Sequence, residues 1–203
     1  MWTSIKLIKC LALIVLVSIS CNSPQKELPF LSYKLDNNGN KTNYTITYGT
    51  HFKNQEGKIF TDENLKNKVF IANFFFTRCP SICPPMKTQL TNIANYFSNT
   101  DDFIIVSHTI DPQYDSPTIL NEYAKSTGVS KDKWFFLTGT TAITQQLAEQ
   151  YKTNFKPNKE GTDFYHSSYA ALVDKNKFIR GFYDLAIPRE VDLLKKDLKT
   201  LIF

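Results

Sequence analysis

Two cysteines, Cys79 and Cys83, stand in the run Phe76-Thr77-Arg78-Cys79-Pro80-Ser81-Ile82-Cys83-Pro84-Pro85-Met86. Three residues separate them, one more than in the common redox spacing. Each precedes a proline, which disfavours helical backbone at the residue before it. Cys83 is therefore expected as the cap of a helix, with Pro84 at the first helical position. The unpaired N–H groups and the helix dipole would then favour a thiolate at Cys83, with Arg78 as a further positive charge. Two thiolates at a helix start can converge on one soft ion, Cu(I) or zinc, or support an iron–sulfur site. Two sulfurs are too few for a closed tetrahedral zinc site, so a third ligand is required. The pair could equally form a structural disulfide, but closing so short a loop brings little entropic stabilisation.

Three histidines can be considered as that ligand. His51 lies beside an early strand, and His108 follows the apolar run Phe103–Val106, as a partly buried polar residue. His166 sits in Asp163-Phe164-Tyr165-His166-Ser167-Ser168, just ahead of a hairpin. In a thioredoxin-like layout that loop faces the helix carrying the cysteines.

The elements that must position these residues follow from hydrophobic spacing. Val69–Phe76 is nearly all apolar, as suits a strand buried on both faces. Cys79 and Cys83 fall just past its carboxyl end, where ligands sit in open α/β sheets. Met86, Leu90, Ile93, Ala94 and Phe97 recur at helical spacing, and place Met86 in the core. Phe103–Val106 is a second buried strand, completing a βαβ unit. Residues 117–126 read as a helix with Pro117 behind a Ser116 cap, and residues 141–152 as another. Ala170–Val173 and Phe178–Tyr183 form a hairpin about Asp174-Lys175-Asn176-Lys177. A last helix begins near Pro188, with Val191, Leu194, Leu198 and Leu201 on one face. Upstream, Tyr44–Tyr48 alternates like a strand, and Asn54-Gln55-Glu56-Gly57 is a turn. The predicted class is α/β: a thioredoxin-like fold, a central mixed sheet flanked by helices, spanning residues 41–203.

The amino-terminus reads as an address. Lys6 and Lys9 precede the short apolar run Cys10–Ile19, too short to span a bilayer. Small residues then lead to Cys21, as in a bacterial lipobox. Residues 1–20 are expected as a lipoprotein signal peptide, Cys21 as the lipidated residue, and residues 21–40 as anchor and tether. The domain would sit in the cell envelope on the non-cytoplasmic side of a membrane, where thiols tend to be oxidised. Loss of the leader leaves 22 basic against 19 acidic residues, a net +3. That balance, with no basic stripe, excludes a nucleic-acid footprint. A monomer on a flexible tether is expected.

Ordered motifs over residues 46–203 carry a resemblance. Asn54-Gln55-Glu56-Gly57, Phe75-Phe76-Thr77-Arg78-Cys79-Pro80-Ser81-Ile82-Cys83-Pro84, Asp111-Pro112-Gln113-Tyr114-Asp115-Ser116-Pro117, Trp134-Phe135-Phe136-Leu137-Thr138-Gly139 and His166-Ser167 are together similar to the Sco/SenC proteins, thioredoxin-like copper chaperones of cytochrome c oxidase assembly. The resemblance implies one copper ion held by Cys79, Cys83 and His166. It implies delivery to the copper-containing oxidase subunit, or exchange with another copper carrier. Ser81 and Tyr165 stand where many members carry aspartate. Two other functions fit the residues: a thiol–disulfide oxidoreductase using Cys79 and Cys83, and, more weakly, a peroxidase-like enzyme.

Overall fold

The structure is a computed structural model, and it describes residues 27–158 and 164–203. In chain order the elements are β1 (Tyr33–Leu35), β2 (Lys41–Asn43), β3 (Phe52–Lys53), β4 (Ile59–Phe60), a 3-10 turn (Asp62–Leu65), β5 (Val69–Phe75), α1 (Cys83–Tyr96), β6 (Phe103–Thr109), α2 (Pro117–Lys125), β7 (Trp134–Leu137), α3 (Thr141–Gln150), β8 (Lys156–Pro157), β9 (Phe164–Tyr165), β10 (Tyr169–Val173), β11 (Ile179–Asp184) and α4 (Pro188–Ile202). The central sheet has the order β11-β10-β5-β6-β7. Strands β5, β6 and β7 run parallel, while β10 is antiparallel to β5 and to β11. This is the mixed thioredoxin-like sheet expected from the sequence.

Strands β5 and β6 are buried along their whole length, which is why their sequences lack alternation. Their register pairs Val69 with Phe103 and Phe75 with Thr109. Both strands therefore end at one edge, and the segments that leave them lie side by side. Ser116 caps α2 by accepting from Ile119 N–H, with Pro117 in the first turn. Val191, Leu194 and Leu198 seat α4 in the core. Gly57, at φ 75°, closes the turn over residues 54–57, where a side chain would be strained.

Three expectations change. Tyr44–Tyr48 is not a strand: Tyr44 N–H bonds Ser32 O, Ile46 N–H bonds Lys177 O, and Thr47 N–H bonds the Gln150 side chain. Its alternation reflects burial of Ile46 and Tyr48 against different elements, without one partner strand. The predicted element order also omits β7, a four-residue strand whose outer edge pairs through Lys53 and Thr138. So short a run carries too little periodicity to stand out. Residues 27–32, within the expected tether, are held. Ser32 is buried, Leu31 N–H bonds Ile179 O, and the buried Arg180 guanidinium meets Pro29 O and Leu28 O. Residues 1–26, including Cys21 and the leader, lie outside the described residues, as does Asp163.

Candidate metal centre

Strand β5 stops at Phe75, and the chain turns through Phe76-Thr77-Arg78 to reach Cys79. Helix α1 begins at Cys83, one residue earlier than expected, with Ile82 at the cap position and no side-chain cap. Pro84 and Pro85 in the first turn have no N–H to offer. The first donor beyond them, Met86 N–H, closes on Ile82 O at 3.3 Å. The remaining free donors at this helix start are those of Ser81, Ile82 and Cys83, and all three face the Cys79 sulfur. Cys79 thus serves as the acceptor that a capping side chain would otherwise supply.

That arrangement reverses the expected placement of the thiolate. Burial raises the Cys79 thiol, but the N–H groups of Cys83, Ser81 and Ile82, with the Cys83 thiol, outweigh it and hold Cys79 below the usual cysteine range. Cys83 lies deeper. Burial pushes it far up, the Phe76 N–H only partly offsets this, and Cys79 and Asp115 push it further. Of the two, the outer sulfur is the one that loses its proton more readily. Arg78 does not face either sulfur. Its guanidinium pairs with Asp111 and stacks over the Tyr114 ring at 4.2 Å.

His166 enters from the loop between β9 and β10. Its Nε2 lies 3.7 Å from Cys83 Sγ, and its Nδ1 lies 3.1 Å from Ser167 O. A proton on Nδ1 donated to that carbonyl leaves the Nε2 lone pair facing the sulfurs. Phe76 packs edge-on against the imidazole, with centroids 5.7 Å apart. Cys79, Cys83 and His166 each offer one ligand atom, and these atoms lie within 4.8 Å of one another. Both cysteines are free thiols. The arrangement suits a soft cation: two sulfurs and one imidazole, partly shielded from water.

The other histidines are elsewhere. His51 is exposed. His108 is wholly buried, with Nδ1 3.1 Å from Asn73 O and Nε2 2.9 Å from Tyr48 Oη. Of the two departures from the family pattern, Ser81 stays beside the site, its Oγ 3.9 Å from Cys79 Sγ, while Tyr165 is exposed.

Sequence reasoning missed the supports behind the ligands. Asp115 is fully buried and accepts from Thr77 N–H at 3.1 Å and from the hydroxyls of Thr77 and Thr109. Burial pushes its carboxyl up, and those hydrogen bonds pull against it. The Tyr123 hydroxyl, raised by burial and then by the two cysteines, backs the pair from α2. The parallel register brings the exits of β5 and β6 together although Thr77 and Asp115 lie 38 residues apart, a proximity that no local spacing displays.

Comparison with known proteins agrees with this construction. The SCO1/SenC family model matches residues 40–202. The SCO1 protein homolog of Bacillus subtilis is 33% identical over 144 residues, covering 69% of this chain and 74% of that one. A solved structure of BsSco, described as a member of the Sco family of cytochrome c oxidase assembly proteins with a disulfide switch, is 30% identical. It superposes with a TM-score of 0.65 over 78% of this chain and 95% of that one. Yeast Sco1 with copper bound is 28% identical, with a TM-score of 0.62 over 77% and 90% of the two chains. The matched span contains the cysteine loop, its buried supports and the histidine, and the chain belongs to the SCO1/SenC family.

Proposed function

We propose that the chain carries one copper ion between Cys79 Sγ, Cys83 Sγ and His166 Nε2 and delivers it to the copper site of a cytochrome c oxidase subunit. The convergence of those three atoms within 4.8 Å carries the reading. The copper-bound relative from yeast and the oxidase-assembly family of BsSco support it. Transfer needs only ligand exchange: an incoming thiolate or imidazole displaces one donor at a time, with no covalent substrate chemistry. The outer sulfur, Cys79, is the donor from which exchange would begin.

The test is a titration of the reduced chain with Cu(I) against a competing chelator. One ion binds tightly, and Cys79→Ser and His166→Ala each weaken binding by at least tenfold. Unchanged affinity in both variants would overturn the assignment. Apparent affinity rises with pH, about tenfold per unit for one released proton, because the raised Cys83 thiol must lose its proton to bind.

A second reading is favoured by the two free thiols and the lowered Cys79: reduction of a partner's disulfide. Cys79 would attack, and Cys83 would resolve the mixed disulfide. Turnover with a disulfide substrate that survives His166→Ala would support it over the carrier.

Location belongs to the same proposal. Cys21 is the lipid-bearing residue that holds the domain on the non-cytoplasmic side of a membrane. Cys21→Ser is expected to move the protein from the membrane fraction to the soluble one, and unchanged fractionation would exclude the anchor.

A further inference from the structure

Cys79, Cys83 and His166 come from three different segments, yet one short stretch, Phe76-Thr77, touches all three. The Phe76 ring packs on the His166 imidazole. The Phe76 N–H faces the Cys83 sulfur. Phe76 O accepts from Cys79 N–H at 3.2 Å, fixing the turn that delivers Cys79. The stretch is a connection between β5 and α1 and has no ladder of its own to hold it. What holds it is Asp115. One carboxylate oxygen accepts from Thr77 N–H and from the Thr109 hydroxyl, and the other accepts from the Thr77 hydroxyl. Asp115 is itself fixed by its N–H to Asp111 O at 2.8 Å and by its place directly before the Ser116 cap of α2. A fully buried carboxylate is costly unless it is fully hydrogen-bonded. Here the bonds it accepts come from the metal-loop segment and from the end of β6.

From this geometry, and resting on the copper-carrier reading, we infer that Asp115 is a positioning residue for copper, holding all three ligands in register through Thr77. It does not touch the ion. It fixes the Phe76-Thr77 stretch, and that stretch orients the imidazole ring, one sulfur and the turn that carries the other. Removal of the groups that orient metal ligands weakens metal binding by roughly 10- to 100-fold.

The experiment uses the full chain in the same Cu(I) competition titration. It is combined with thermal unfolding of the metal-free protein and the charge-transfer absorption of the Cu(II)–thiolate complex. Asp115→Asn, which replaces one accepting oxygen with a donor, is expected to weaken Cu(I) binding 10- to 100-fold and to shift that absorption. Thr77→Val, which removes one hydroxyl bond, is expected to weaken binding at least tenfold, while Thr77→Ser restores it to within twofold. If Asp115→Asn does not fold, the Thr77 pair decides. A purely structural role predicts a lower melting temperature with affinity and absorption unchanged while the protein is folded, and that result would overturn the inference. Absence of copper binding by the unsubstituted chain would instead remove the carrier reading, and this inference with it.

Discussion

His108 shows at the scale of one residue how burial sets chemistry. It sits on β6, buried among Tyr48, Phe52, Phe74 and Tyr151, and makes two hydrogen bonds. Desolvation lowers its pKa to about 4, against a smaller pull upward from Asn73 O. The folded state therefore keeps it neutral where an unfolded chain protonates it. Its contribution to stability is complete above the unfolded value near 6.5 and is lost as the pH falls from there towards 4, on the order of 3 kcal/mol in all. Melting temperature should drop between pH 7 and pH 5, and His108→Gln should flatten that part of the profile while lowering stability at pH 7. An equally steep profile in the variant would point to other groups. His166 differs because its loop leaves it partly open and turns Nε2 towards sulfur.

Among the elements, the outer edge of β7 raises the problem every sheet edge raises: exposed N–H and C=O groups. Gln55 solves it with one side chain. Its Oε1 accepts from Phe136 N–H at 3.0 Å, and its Nε2 donates to Trp134 O at 3.0 Å. The turn over residues 54–57 presents that amide, and Asn121 from α2 donates to Gln55 O. Gln55→Ala leaves both backbone groups without this partner, at roughly 1–3 kcal/mol each. Urea unfolding should show the loss as a lower midpoint, and an unchanged midpoint would mean that water replaces the amide. The same edge matters to the site, because β7 packs on α2, which presents Tyr123 behind Cys83. The β5–α1–β6 unit was visible in the sequence because its strands are long and apolar. The seal on β7 was not, because it depends on a side chain 81 residues away in sequence.

Across the whole molecule, the opposite edge is closed by the chain's own amino-terminal segment. Arg180 on β11 is buried, pairs with Asp174 at 2.8 Å, and reaches the carbonyls of Leu28 and Pro29 while lying 4.1 Å over the Phe30 ring. Any anchor at Cys21 therefore connects to a chain that is already bonded to β11 by residues 28–32. Arg180→Met should cost about 3–5 kcal/mol by leaving Asp174 without its cation. Limited proteolysis should then cleave within residues 27–32 well before the core. Resistance equal to the unsubstituted chain would show that the hairpin β1–β2 holds the segment unaided. Among the described residues no helix is long and apolar enough to cross a membrane.

Local spacing alone determined the buried strands, the helices behind their proline and serine signals, and the position of both cysteines at the carboxyl edge of the sheet. Those features depend on neighbours a few residues apart, which a sequence displays directly. The three-dimensional fold alone decided which sulfur loses its proton more readily. Two prolines strip the first turn of donors, and the three N–H groups left converge on Cys79 and not on Cys83. The fold also decided that Asp115 reaches Thr77, since a parallel register joins groups distant along the chain. Hydrogen-bond direction and desolvation are properties of packed atoms, and no spacing along a chain encodes them one residue at a time.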